Sequence, residues 1–378
     1  MRMLFIGLGL LLISLNTAAD WIEASGQAVI RGGDETDARA RATEDAVRRA
    51  LLYAGASITS VQQVTNGLLT ESSMQWQSQA EVRQIELVRE QRIGRTLEVT
   101  IRADIFPQHA QCQGAGYKKP VLISPFPLRH PQQSVIGDLH PLGEVSARKL
   151  HQQLQGLSNS TIPTWLEHPD LSRPLSTRER SSLLQQTNAD YLVTASIEDI
   201  SLGERTDMNL RFWSDARRER FFHMRLQLQQ LSTGKVLFQQ EYRTQARWDF
   251  RKRTSITPHD HRFWQTSYGE AVSRVLDAAV MDIDDALRCE PFVAAITEVG
   301  NNRIQLQSGQ NAGLRHGDEL TILYRQQGIQ GDNTRFRISP LTVRITELGF
   351  DWAIAVSSNE QLLSNVQVGD VATKLTER

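Results

Sequence analysis

His259-Asp260-His261 is the arrangement in this sequence best suited to a metal. Two imidazoles at i and i+2 share one face of a strand and can ligate zinc or copper. No further His or Cys lies close by to complete the set, and Pro258 places the triplet in a loop. The reading is a solvated loop ahead of a helix, with no metal and no other cofactor expected. The chain has no Gly-x-Ser-x-Gly elbow, no phosphate-cradling Gly-rich loop and no His-Glu-x-x-His. It is read as a non-enzyme. The remaining chemistry is that of contact. Arg247, Trp248, Phe250, Arg251 and Arg253 form a basic run interleaved with aromatics, and such side chains are favoured at interface hot spots. They are the candidate partner-binding residues. The competing reading is an exposed loop whose aromatics tuck inward.

Cys112 and Cys289 are the only cysteines. Their meaning depends on the compartment. Arg2 followed by an apolar run from Leu4 to Leu15 and by Thr17-Ala18-Ala19 reads as a signal peptide over residues 1–19. The run is too short to span a bilayer comfortably. Asp20 is the expected first mature residue, and no membrane insertion is expected after the signal is removed. In an oxidising compartment an even number of cysteines usually pairs. A loop of roughly 180 residues would then remove about 5 kcal/mol of unfolded-chain entropy. Two free buried thiols are the alternative. A bond there would close the middle of the chain at its base and leave the flanking segments on short tethers.

At 378 residues the chain suggests two or three domains. With 42 basic and 43 acidic side chains it carries no general signal for nucleic-acid binding. The expected fold class is α+β, or mixed α/β, in several domains: a small α/β domain over 20–108, an α/β middle over 109–290 and a β-barrel over 291–378. In the first, Trp21 to Arg31 alternates as a strand and Gly32-Gly33 turns. Asp34 caps a helix in which Ala38, Ala42, Ala46, Ala50 and Ala54 recur every fourth residue. That small-residue face can lie close on a sheet. Residues 82–89 and 97–106 read as two further strands.

Gly26-Gln27-Ala28-Val29-Ile30, Ala50-Leu51-Leu52-Tyr53-Ala54-Gly55-Ala56 and the following stretch to Leu69 resemble the flagellar assembly protein T family. Gln84 to Val88 and Val99 to Phe106 fit the same resemblance. It is strongest over the first mature segment, good over the middle and looser at the end. It implies a scaffold of the bacterial flagellar basal body, located in the periplasm, that builds the H ring. It further implies support for attaching the motor T ring and the stator units, and hence motility. The implied partners are the basal-body outer rings, the T-ring proteins and other copies of the chain. The isolated protein is expected to be monomeric. A TolB-like periplasmic binding or accessory module in envelope transport or integrity is the alternative.

In the middle segment Val121-Leu122-Ile123 is a short apolar strand. Residues 144–155 and 177–187 have helical spacing, with Ser176 as cap for the second. Ala189 to Glu198 is a buried strand, and 220–231 and 236–246 form a hairpin about Ser232-Thr233-Gly234-Lys235. Residues 263–287 form a long helix. This order looks like the amino-terminal domain of TolB. After Pro291, strands are expected over 292–299, 303–307, 318–325, 337–348 and 352–357 in a closed or nearly closed barrel of SH3-like kind. Gly317-Asp318 and Gly369-Asp370 are matched turn-to-strand entries.

Overall fold

A computed structural model describes residues 21–31, 34–54, 82–105, 116–167, 171, 173–187, 189–203, 218–251, 254–300, 302–327, 334–357 and 363–375. The signal-peptide reading, the stretch 55–69, Cys112 and Arg253 lie outside them.

Strand β1 (Trp21–Val29) leads into helix α1 (Glu35–Tyr53). The Asp34 carboxylate accepts hydrogen bonds from the Thr36 and Asp37 amides at 3.0 Å each, the cap expected from the sequence. Ala38, Ala42, Ala46 and Ala50 are fully buried. The alanine face brings α1 so near the sheet that a Cβ on Gly26 would lie 2.2 Å from Ala42 O. Strands β2 (Val82–Ile93) and β3 (Thr96–Ile105) complete an antiparallel order β1-β3-β2.

The middle sheet has the order β5-β4-β6-β7-β8, formed by β4 (Lys119–Ile123), β5 (Thr161–Trp165), β6 (Tyr191–Asp199), β7 (Arg218–Gln230) and β8 (Val236–Trp248). The β4-β5 and β4-β6 pairs are parallel, and β6-β7-β8 is antiparallel. Helix α2 (Leu142–Leu157) and the later long helix pack on one face; α3 (Thr177–Thr187) covers the β4–β6 part of the other. Ser176 and Glu179 cap α3 reciprocally: Ser176 N donates to the Glu179 carboxylate at 2.9 Å, and Glu179 N donates to Ser176 Oγ at 3.4 Å. Strand β5 falls between the two helices, where the order strand–helix–strand–helix–strand–hairpin–helix expected from the sequence has a strand without fixed bounds. It contains Pro163 and occupies a sheet edge, where a missing amide is tolerated. The expected single helix over 263–287 is instead α4 (His261–Trp264) and α5 (Ser267–Arg288). Thr266 restarts it by accepting from Gly269 N at 3.0 Å.

The last segment is a closed six-strand antiparallel barrel. Its strands are β9 (Val293–Gly300), β10 (Arg303–Leu306), β11 (Glu319–Gln327), β12 (Thr334–Leu348), β13 (Ala353–Val356) and β14 (Val371–Thr373), and pairing runs β11-β14-β9-β10-β13-β12 and back to β11. The two Gly-Asp turns are the same device. Gly317 and Gly369 have φ of +85° and +96°. Asp318 accepts from Arg315 N at 2.8 Å, and Asp370 accepts from Gln367 N at 2.9 Å.

The flanking segments do not hang apart. Strand β1 pairs in parallel with β12, Glu23 opposite Arg337 and Ala24 opposite Ile338. Leu323, Ile338 and Val371 of the barrel enter the core beneath α1. The expectation of separate tethers treated each segment as filling its own core, whereas β1 leaves one edge that a barrel strand completes.

Candidate interaction site

The Arg247–Arg253 run begins on β8 and leaves the sheet. Alternation places Trp248 on the same side as Tyr242, facing α5, and Trp248 is 3% exposed. Its ring meets Phe250 edge-on at 5.0 Å and Tyr268 edge-on at 5.6 Å. Phe250 is half-buried against the same core. The Arg247 side chain is exposed and pairs with Asp249 at 2.6 Å. Arg251 is exposed. Among the described residues of this run the exposed side chains are Arg247, Asp249 and Arg251, and the two aromatics point inward.

Beneath Trp248 lies Arg220, fully buried. Its Nε donates to Ile200 O at 2.9 Å, Nη1 to Ile136 O at 2.6 Å and Nη2 to Gln133 O at 2.6 Å. The guanidinium stacks 4.5 Å from the Trp248 ring. Burial lowers its pKa, while Tyr268 raises it. One side chain thus ties the loop after β4, the end of β6 and β7 together without a carboxylate. The sequence shows Arg220 only as one charge in an alternating strand, on the side that must face the core.

His259 and His261 are exposed, and Asp260 serves as the cap of α4, accepting from Arg262 N at 2.9 Å. Among the described residues no three His, Cys, Asp or Glu side chains gather as a metal site. No helix among them is long and apolar enough to cross a membrane. Cys289 caps the C-terminal end of α5, and no free cysteine occurs among the described residues.

The three segments meet at a buried polar junction that local pattern did not reveal. Lys119 on β4 is 1% exposed. Its pKa is pulled down to about 8, chiefly by burial and against the charges of Glu290 and Asp284. Asp190 accepts from Gln230 Nε2 at 2.7 Å and from Ser232 N at 2.8 Å. Burial raises its carboxyl, while these bonds and the charge of Arg325 lower it. Lys119, Asp190, Arg325 and Phe336 line a cavity of about 20 Å³ between the middle sheet and the barrel. Tyr117, just before β4, rests on Phe292 with ring centroids 5.1 Å apart.

Sequence profiles of flagellar assembly protein T match the chain in order: the N-terminal domain over 20–107, the middle domain over 110–258 and the C-terminal domain over 301–374. No curated protein matches the chain. Among solved structures, a hypothetical protein from Chlamydia trachomatis is 13% identical with a TM-score of 0.33, covering 46% of this chain and 98% of its own. A PelC dodecamer from Paraburkholderia phytofirmans is 10% identical with a TM-score of 0.25, covering 54% and 97%. A lipoprotein from Neisseria meningitidis is 9% identical with a TM-score of 0.25, covering 44% and 99%. These structural likenesses are too distant to carry an argument.

Proposed function

The chain belongs to the flagellar assembly protein T family, and from that premise we propose that it builds the periplasmic H ring of the basal body and supports attachment of the motor T ring and stator units. Its role is in flagellar assembly. What supports the reading is the ordered match of all three domain profiles across one chain. The mechanism is scaffolding: weak contacts repeated around a ring sum through avidity. The mature protein works in the periplasm from Asp20, is monomeric when isolated and forms its ring on the basal body. The divisions 20–108, 109–290 and 291–378 are kept as its functional parts, the middle TolB-like and the last SH3-like. Arg247, Arg251 and Arg253 supply a cationic contact to a ring partner, with Trp248 and Phe250 setting the strand end that carries them.

Electron microscopy of basal bodies from a deletion strain tests this. Loss of the outer ring and of swimming is expected, with both restored by the wild-type gene. Complementation by an R247E/R251E variant is expected to restore folding but only partial swimming. Intact rings and normal swimming in the deletion strain would sink the reading, and full swimming by the variant would remove the cationic contact.

We further propose that Cys112 and Cys289 pair, fastening the end of α5 to the stretch ahead of β4. Alkylation of the denatured, unreduced protein is expected to find no reactive thiol, and two after reduction. Cys289→Ser should lower stability by about 3 kcal/mol. Two thiols before reduction would exclude the bond.

A further inference from the structure

The most exposed large aromatic side chain among the described residues stands at the tip of the turn between β12 and β13. Phe350 is 72% exposed and Trp352, beside it, 39%. Asp351 between them is exposed as well. The turn is held firmly. Gly349 N donates to Trp352 O at 2.9 Å, and Gln310 N and Asn311 N donate to Gly349 O at 3.0 Å and Phe350 O at 2.9 Å. A Cβ on Gly309 would lie 2.4 Å from Gly349 O, and one on Gly349 would lie 2.3 Å from the Trp352 ring. The two glycines let the turn close this tightly, with the Trp352 ring laid over Gly349 and Phe350 projecting. A rigid aromatic projection loses little conformational freedom on binding, which is the character of an interface anchor.

The same molecule carries a matching cleft. A space of about 530 Å³ opens between the end of α1 and the barrel wall. Leu52 and Leu375 give it apolar surface, and Arg48, Arg49 and Lys374 give it positive charge, with Glu319 on the wall. The cations are positioned by neighbours: Arg48 and Arg49 pair with Asp45 at 3.2 and 3.0 Å, and Lys374 pairs with Asp318 at 2.7 Å. Glu319 is itself paired with Arg344. The volume suits one aromatic side chain with its neighbours, and the charge suits Asp351. The cleft wall at Thr342 lies on β12 itself, on the order of 20 Å of extended strand before the tip at about 3.3 Å per residue. The tip therefore cannot fill the cleft of its own chain.

We propose that Phe350, Asp351 and Trp352 of one copy dock into the Arg48–Arg49–Lys374 cleft of the next. The proposal rests on the ring reading above and names the contact that would form the ring. A ring needs a head-to-tail interface, which joins two different surfaces present on every copy. Tip and cleft are such a pair. Because the cleft depends on the fold of α1 against the barrel, the interface is complete only in the full chain.

The test uses full-length protein in basal bodies. Cysteines introduced as E319C at the cleft rim and D351C at the tip, in one chain, are expected to give a ladder of cross-linked multimers under mild oxidation. Either substitution alone should give none. An F350A/W352A variant should keep its unfolding midpoint and lose roughly tenfold in ring occupancy. Unchanged occupancy overturns the proposal, and so does absence of a ladder in basal bodies that retain the ring. Loss of occupancy without a ladder would assign the tip to another partner and likewise overturn it. Absence of this protein from wild-type basal bodies would instead overturn the ring reading itself.

Discussion

Gly26→Val is expected to destabilise the body formed by α1 and the barrel by about 3 kcal/mol or more, at the upper end of overpacking effects. The position has no side-chain freedom to exploit. A Cβ there would sit 2.2 Å from Ala42 O and 2.4 Å from Ala46 N, both backbone atoms of α1. Relief requires the helix to lift off β1, and lifting it exposes Val47 and Leu51, both buried in that core. Gly26→Ala should give the same direction with a smaller effect. Urea unfolding followed by circular dichroism reads this as a lower midpoint. A midpoint equal to wild type would mean that the helix does not press on the strand.

Arg220→Met is expected to cost about 3–5 kcal/mol, read as a fall in Tm on the order of 10 °C. Methionine approximates the length of the stem and leaves the three carbonyls of Gln133, Ile136 and Ile200 without this donor in a dry interior. Arg220→Lys should fall between the two, since an ammonium lacks the planar fork and its stacking on Trp248. If the methionine variant melts within a degree or so of wild type, water has replaced the guanidinium and the site is less closed than described. Both variants should leave the secondary structure of the barrel intact, because Arg220 belongs to the core of the middle sheet alone.

Local pattern made much of this molecule readable. The four-residue spacing of alanines gave α1 and its close approach, and Asp34 and Ser176 stand at the caps their types suggest. The β7–β8 hairpin followed from strict alternation. What escaped was set by distance along the chain or by a broken local rule. Pro163 argues against a strand unless the strand is known to be an edge, and only the assembled sheet says so. For the run from Arg247 the sequence leaves a surface reading and an inward tuck both open, and the register of β8, with residues 242 and 248 on one face, is what turns Trp248 inward. The aromatic tip had a signal too: Gly349-Phe350-Asp351-Trp352 puts large aromatics in a turn, where burial does not explain them. Its cleft had none, because α1 and Lys374 lie near opposite ends of the chain and meet only in the assembled fold.

That pairing also sets a schedule. Strand β1 is the first described strand of the chain, and the strand that covers its open edge is among the last. Until β12 is present, β1 offers unpaired amides and carbonyls to any neighbouring strand. Contacts so far apart in sequence close slowly, because a long loop must be ordered first. A chain made in sequence order would therefore carry an unfinished first domain until its last strands are in place. A chain cut short before residue 334 would lose more than its barrel: its amino-terminal sheet would keep a permanent sticky edge.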